Sequence, residues 1–408
     1  MAVNRIGKIE NRDILLLQGP MGDFFRRLDT LFRKRGARTY RIGLNAGDRI
    51  FSHADNYIAY RGRPEEWEEF LRDFLEKRSI DKIFLFGDCR FYQGVAVALA
   101  KELNIDLFVF ELGYVRPDYV TMERYGVNDY SLVSRDPSFY REMELIVNPE
   151  PIPARPSRFK MLYSAVLYYF VANLFSFRYP YYRHHRDFSA LREAFYGFRG
   201  ALRKLIYPFF ENRYMPLLKG KYSKRYYLVP LQTHNDFQVL QHSDYLSIEK
   251  FIIEVIESFS KNADDESFLL FKHHPVDRGR KNYREFITRQ AEIYGVSERI
   301  FVVHDLYLPT LLEHSRAVVT INSTVGLTAL GFGIPTITLG NAIYDIEGLT
   351  CRAMKLDDFW NSYEEPDGAL YEKYVNYLID KTQLNGSFYG LFPVELESDE
   401  MYEDNDTL

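Results

Sequence analysis

Cysteine is nearly absent from this chain of 408 residues: Cys89 and Cys351 stand far apart and show no Cys-x-x-Cys or Cys/His metal spacing. Such a pair builds no disulfide framework and fits a reducing cytoplasm. Met1 to Arg12 lacks the apolar core of a secretory signal, so Asp13 to Leu17 is expected to open the fold as its first strand. Nucleotide fingerprints are missing too. Gln18-Gly19-Pro20-Met21-Gly22 does not follow Gly-x-Gly-x-x-Gly, and no Walker lysine motif occurs, which removes dinucleotide and P-loop readings. The Asp-x-Asp of Asp404 to Asp406 falls in the acidic end and is discounted as a metal site. Metal-independent chemistry is expected.

Net charge is also small. With 52 Lys/Arg against 57 Asp/Glu the chain carries −5, and no nucleic-acid partner follows from that total. The total hides an asymmetry. Arg155 to Arg225 holds fifteen Lys/Arg and three acids, a local charge of +12, so the rest of the chain carries −17. The apolar fraction of 46% suits a folded chain, and this length suits two domains.

Both flanks of the basic stretch alternate short apolar runs with amphipathic ones. In the first part, strands are expected at Ile14 to Leu17, Thr39 to Leu44, Lys82 to Phe86 and Asp106 to Phe110, with helices at Phe24 to Arg35, Glu65 to Lys77 and Gln93 to Leu103. In the second, strands are expected at Tyr227 to Leu231, Phe268 to Lys272, Ile300 to Val303, Ala317 to Ile321 and Pro335 to Leu339. Helices there are expected at Ser247 to Ser260, Leu308 to His314 and Gly326 to Phe332. Ile, Leu and Phe without alternation indicate parallel sheets covered on both faces. The fold class is α/β, with two Rossmann-like domains. The acidic end from Glu395 is expected to fray.

Doubly wound sheets bind ligands beyond the carboxyl ends of their strands. In the second half those ends carry Gln232-Thr233-His234-Asn235-Asp236, Lys272-His273-His274-Pro275 and Asn322-Ser323-Thr324. Ser323 and Thr324 begin a helix, where free N–H groups and the positive dipole end favour phosphate. Lys272 and His274 add charge or a proton to the same anion, the chemistry of a nucleotide leaving group. Each piece has a plainer reading: Ser-Thr is an ordinary cap, His-Pro an ordinary turn, and Asp236 a surface turn residue. Their occurrence together, each at a strand end, favours the site. In the first half the corresponding ends carry Gly19 and Gly22, Asp88 and Arg90, and Glu111 with Tyr114 and Arg116. Glycine there admits close approach by a ligand.

These segments together resemble the capsule polysaccharide biosynthesis family, specifically the enzymes that place the first β-Kdo residue on a phosphatidylglycerol-type lipid. The matching pieces run in order: Leu15 to Phe25, Gly87 to Arg90, Phe110 to Asp118, Pro230 to Val239, Lys272 to Pro275 and Ile321 to Thr350. The resemblance implies a GT-B glycosyltransferase whose two Rossmann-like domains face a central cleft. It implies CMP-β-Kdo as donor, a lipid acceptor in an anionic membrane, retention of configuration and no cofactor or metal. Residue by residue, it makes Asp236 the nucleophile, His274 the group that holds or protonates the CMP phosphate, and Ser323 and Thr324 the phosphate-binding hydroxyls. Gln232, Lys272, Asn322, Gly340 and Asn341 complete the expected donor side. Glu111 matches the first member of an acidic pair; the second is Leu112 here, which leaves Glu111 alone there for acceptor activation or donor positioning. Gly19, Gly22, Asp88, Arg90, Tyr114 and Arg116 are the expected acceptor and cleft residues. A transferase of the same architecture using another CMP-sugar, sialyltransferase-like, and a non-catalytic membrane scaffold of capsule assembly remain as alternatives.

Met161 to Phe177 is a run of seventeen uncharged residues, about 26 Å as a helix, at the lower limit for crossing a bilayer. Tyr163, Tyr168, Tyr169 and Asn173 within it disfavour crossing. An aromatic and basic surface docked on anionic lipid is the expected role, with Arg178, Arg183, Arg203 and Lys204 as contacts; core helices with snorkelling arginines are the alternative. The expected domains are 1–154 (acceptor side), 155–226 (membrane and acceptor-binding insertion), 227–390 (CMP-sugar side) and 391–408 (tail). The expected location is cytoplasmic, peripheral on the inner face of the cytoplasmic membrane, with other capsule assembly or export proteins as partners.

Overall fold

The computed structural model describes residues 5–183, 190–234, 236, 239 and 242–403. They form two compact units. The first comprises 1–132, 146–190 and 376–408 and the second 133–145 and 191–375, so the chain crosses between them more than once.

The first unit holds a seven-stranded sheet. Its strands are β1 (Asp13–Leu16), β2 (Arg38–Gly43), β3 (Tyr57–Ala59), β4 (Lys82–Phe86), β5 (Asp106–Leu112) and β6 (Tyr119–Arg124), joined by a C-terminal strand, Gln383–Asn385. In space, β5, β4, β1, β2 and β3 lie side by side and parallel, while β6 and then Gln383–Asn385 extend the β5 edge antiparallel. Apolar residues on the strands alternate between faces as the pleat requires. Ile14, Leu16, Phe84, Phe108 and Phe110 pack with Phe24 and Phe25 on one side, and Leu15, Ile83, Leu85 and Val109 pack with Trp67 and Leu71 on the other. Two buried faces explain the unbroken apolar runs.

The second unit holds five parallel strands: β7 (Tyr226–Pro230), β8 (Phe268–Lys272), β9 (Ile300–Val303), β10 (Ala317–Thr320) and β11 (Thr336–Thr338). Their spatial order is β11-β10-β7-β8-β9. The chain therefore runs outward from β7 through β8 to β9, then returns to the other side of β7 for β10 and β11. That reversal is a topological switch point between β7 and β10, the place where sheets of this kind open a ligand crevice. Behind it, Trp360 is fully buried against Tyr227 and Phe259 and donates its indole N–H to Ser258 Oγ at 2.8 Å.

Two expectations about the chain's course are corrected. The basic stretch is not one insertion: helix Arg158–Leu174 packs in the first unit, and most of helix Ala190–Glu211 belongs to the second. The acidic end also does not fray from Glu395. Leu396 and Met401 are buried in the core of the first unit, and the Glu395 carboxylate accepts the Asn385 N–H at 2.9 Å. The Ile6 N–H donates to the Met401 carbonyl at 3.0 Å. Acids surround these few apolar anchors too closely for any periodicity to reveal them. Asp404 and Asp406 lie outside the described residues.

Because Leu396 is fully buried, Leu396→Ala should cost about 2–4 kcal/mol, read as a lower midpoint in urea; an unchanged midpoint would restore the frayed-tail reading.

Candidate functional site

The switch point of the second unit gathers several of the expected donor residues. Gln232 follows β7 and Asn322 follows β10, on opposite lips of the crevice. They join by two hydrogen bonds: Gln232 Nε2 donates to Asn322 Oδ1 at 3.0 Å, and the Asn322 N–H donates to Gln232 Oε1 at 3.3 Å. Gln232 Nε2 also lies 3.4 Å from Asp236 Oδ2, which turns the Asp236 carboxylate toward the same place. The His242 carbonyl then accepts both Asn322 Nδ2, at 3.3 Å, and the Asn341 N–H, at 2.9 Å. Gly340 fits there only without a side chain, since a Cβ would lie 2.7 Å from Ile321 and 2.8 Å from Ser243.

Beside this group, helix Thr324–Gly331 begins with Ser323 as its cap, the Ser323 hydroxyl accepting the Val325 N–H at 3.3 Å. The remaining first-turn N–H groups and the dipole make that end attractive to an anion. His274 caps the turn Pro275–Gly279, its Nδ1 accepting the Val276 N–H at 3.2 Å. A neutral His274 ring therefore carries its proton on Nε2, as a donor. Asp277, fully buried in that turn, accepts the His234 N–H and meets His234 Nδ1, both at 2.7 Å. The loop bearing Asp236 is thus pinned to the turn headed by His274.

Lys272 is a correction. Its amino group is buried and donates to the His304 carbonyl at 3.2 Å, which directs it to the β9 side of the sheet. Burial lowers its pKa, against the opposing pull of Asp305 and Glu211. A strand-end lysine can turn either way, and here the His304 carbonyl after β9 takes its hydrogen bond.

Sequence reasoning missed a polar array under the His274 turn. Glu211 closes helix Ala190–Glu211 and is buried. It accepts the His304 N–H at 2.8 Å and meets His304 Nδ1 at 2.6 Å. The His304 ring stacks on His273, centroids 4.9 Å apart, and His273 Nε2 accepts the Tyr283 N–H at 3.1 Å. Burial and the neighbouring His304 drop His273 to about 4. Burial alone would raise Glu211, but the hydrogen bonds from His304 and the Asp305 amide bring it below the ordinary range. Arg199 and Arg203 of the same helix donate to the carbonyls of Gly279 and Arg278, at 2.7 and 2.8 Å. Arg203 is thereby drawn off the expected membrane surface, while Lys204 stays exposed. The twin histidines were visible in the sequence; their partners, from distant segments, were not.

In the first unit several of the expected ligand residues have partners or packing of their own. Gly19 is required by Phe25, whose ring would lie 2.5 Å from a Cβ, and Gly22 by its φ of +137°. Asp88 is buried, its Oδ2 accepting the Val127 N–H at 2.8 Å. The buried Tyr114 hydroxyl donates to Glu123 at 2.7 Å and accepts the Asn128 N–H at 2.6 Å. Arg116 Nε donates to the Gly113 carbonyl at 3.1 Å. Glu111 differs. It sits at the end of β5, half-buried, and burial raises its carboxyl above the usual range despite the Leu112 N–H and Arg90 nearby. That environment suits a group that takes up a proton. Arg178 and Arg183 are exposed, as a surface role requires. Among the described residues, no group of three His, Cys, Asp or Glu side chains could hold a metal ion.

Residues 81–389, most of the chain, match the model of a family described as capsule polysaccharide biosynthesis protein. The chain belongs to that family. It is 41% identical over 381 residues to the Escherichia coli capsule polysaccharide export protein KpsS, covering 93% of this chain and 98% of the relative. It is 35% identical to the capsule polysaccharide modification protein LipB of Neisseria meningitidis serogroup A, covering 97% and 96%. Among solved structures it is similar to Thermosulfurimonas dismutans KpsC, titled a beta Kdo 2,7 transferase, at 13% identity and a TM-score of 0.44, over 92% and 93% of the two chains.

The buried array sets a pH dependence. A histidine held near 4 when folded and near 6.5 when unfolded binds its proton only in the unfolded chain between those values. Stability contributed by the neutral ring is complete above 6.5 and falls as pH drops toward 4, by roughly 3 kcal/mol in the limit. Thermal midpoints measured from pH 7 to 4 should fall, and less steeply in His273→Phe. Equal slopes would mean that His273 titrates normally.

Proposed function

We propose that this protein is a retaining glycosyltransferase that moves Kdo from CMP-β-Kdo to a phosphatidylglycerol-type lipid, starting a capsular polysaccharide. The observation that carries the reading is the hydrogen-bonded meeting of Gln232, Asp236 and Asn322 at the switch point of the second unit, beside a capped helix start. A nucleotide phosphate suits the Thr324 N–H and the positive end of the helix it opens, and the His274 Nε2–H suits a leaving phosphate oxygen.

Transfer with retention follows from two displacements. The Asp236 carboxylate attacks the anomeric carbon, the bond from that carbon to the phosphate oxygen breaks, and CMP leaves with the electron pair. The acceptor hydroxyl then attacks the same carbon, Asp236 departs as carboxylate, and a base takes the hydroxyl proton, a role whose chemistry Glu111 fits. No step uses a metal.

Membrane docking is supported by an exposed apolar face on each unit. On helix Arg158–Leu174 and just beyond it, Phe159, Leu162, Val166, Phe170 and Phe177 are exposed at helical spacing; on helix Ala190–Glu211, Phe198, Leu202, Leu205 and Phe209 are. Among the described residues no helix is long and apolar enough to cross a membrane. Apolar faces in a stretch of charge +12 suit the surface of an anionic bilayer. A second reading, a non-catalytic partner in capsule export, draws on the role printed for the E. coli relative.

Incubation with freshly generated CMP-Kdo and phosphatidylglycerol vesicles should add one Kdo mass to the lipid and release CMP in equal amount. Asp236→Ala should slow transfer roughly a thousandfold or more with CMP binding retained. Full activity in that variant would remove Asp236 from its role, and an unmodified lipid with wild type would favour the export reading.

A further inference from the structure

The first unit contains a cavity of about 450 Å³ that none of the expected site residues lines. It opens beside the carboxyl ends of β1 and β2, between the Asn45 loop and the end of helix Arg158–Leu174. No lining residue is charged; Tyr168, Tyr169, Tyr179 and Tyr182 supply hydroxyls, and Asn45 and Asn173 supply amides.

The floor is rigid. The Tyr168 hydroxyl donates to Asp48 at 3.0 Å and accepts from Asn45 Nδ2 at 2.6 Å and Gln18 Nε2 at 2.9 Å. The hydroxyls of Tyr57 and Tyr179 pair at 3.0 Å. Helix Arg158–Leu174 is pressed onto the Asn45 loop at Gly47, where a Cβ would lie 2.7 Å from the Tyr168 carbonyl. Tyr168 is thereby fixed with its hydroxyl fully used, and the lining hydroxyls of Ser176, Tyr179 and Tyr182 with the Asn173 amide present a polar wall that matches a neutral polyol.

The Asp48 carboxylate lies beneath this floor, and exposed arginines stack on the aromatic rings around it. Arg49 lies over the Tyr57 ring at 4.9 Å, Arg61 over Tyr179 at 5.7 Å, Arg63 over Tyr181 at 5.0 Å and Arg178 over Phe175 at 5.3 Å. All four arginines are exposed; Arg61, over the lining Tyr179, and Arg178, next to the lining Phe177, are the two beside the cavity and can meet an anion there. Phe177 lines the cavity and is 70% exposed; it continues the stripe of Phe159, Leu162, Val166 and Phe170 along the helix. Neutral polar floor, cationic rim and apolar stripe therefore follow one another across a single surface. A glycerophospholipid has the same order: diol, phosphate, acyl chain.

We propose that this cavity is the headgroup site of a glycerophospholipid acceptor, whose glycerol enters among Tyr168, Tyr182 and Asn173 while its acyl chains lie over the Phe170 and Phe177 stripe. The proposal rests on the lipid-acceptor reading above and gives it a location. It moves the acceptor site from the loops after β4 and β5 toward β1 and β2. Arg90 connects the two regions: its charge lowers both the Tyr182 phenol and the Glu111 carboxyl against the burial that raises them.

The test is photolabelling of the full chain on vesicles holding a diazirine-bearing phosphatidylglycerol, with the labelled peptides identified by mass spectrometry. Label within residues 163–183, competed by unlabelled phosphatidylglycerol but at least tenfold less by soluble glycerol phosphate, is the expected result. Ser176→Trp, which fills the cavity, and Asn173→Asp, which sets a negative charge at its exposed mouth, should each cut that label about tenfold with CMP affinity unchanged. Competable label elsewhere, or label indifferent to both variants, would overturn the cavity while leaving a lipid acceptor in place. Equal competition by glycerol phosphate would overturn the lipid assignment of the site. Absence of any competable label would overturn the lipid acceptor and the cavity together.

Discussion

The second unit depends on a hydrogen-bonded amide exchange between Gln232 and Asn322. These residues follow strands that are neighbours in space but ninety positions apart in sequence, and their loops depart in opposite directions. Without that exchange the crevice would have two independent lips. With it, the Asp236 carboxylate, the start of helix Thr324–Gly331 and the Asn341 backbone share one fixed frame. Asp277 extends the frame by gripping His234 with a buried carboxylate. A polar network of this kind rigidifies a site when its members are satisfied.

Much of this was legible because the core strands are buried on both faces. Runs such as Lys82 to Phe86 and Phe268 to Lys272 admit no other placement in an alternating α/β chain, and Ile300–Val303 falls where expected. β6 and the two three-residue edge strands of the first unit escaped. Tyr57–Ala59 and Gln383–Asn385 have three residues each and owe their identity to a neighbour's pairing. The return of the C-terminal residues to the first unit escaped for the same reason. No local pattern announces a strand completed across more than two hundred and fifty residues.

Site residues divide along a similar line. Gln232, Asp236 and Asn322 were readable from their position after strands at a switch point. Lys272, Asp88 and Tyr114 occupy equally suggestive positions, yet their polar atoms answer backbone or side-chain groups inside the unit. Position beyond a strand end does not fix which way a side chain turns. Unmet hydrogen bonds in the interior decide that, and they belong to segments distant in sequence.

The basic, aromatic stretch shows the same competition. Its composition suggested an aromatic and basic surface. Phe198 and Phe209 do face outward, but Arg199 and Arg203 turn to the carbonyls of the Pro275–Gly279 turn. An outward aromatic row is stable when something apolar covers it, and a bilayer surface is such a cover. The central claim remains the crevice beside Gln232 and Asn322, and a structure determined with CMP bound tests it most directly. The phosphate should lie against the N–H groups at the start of helix Thr324–Gly331, with the Asp236 carboxylate on the side where the sugar would stand. CMP bound elsewhere, or a phosphate remote from Ser323 and Asp236, would contradict the account.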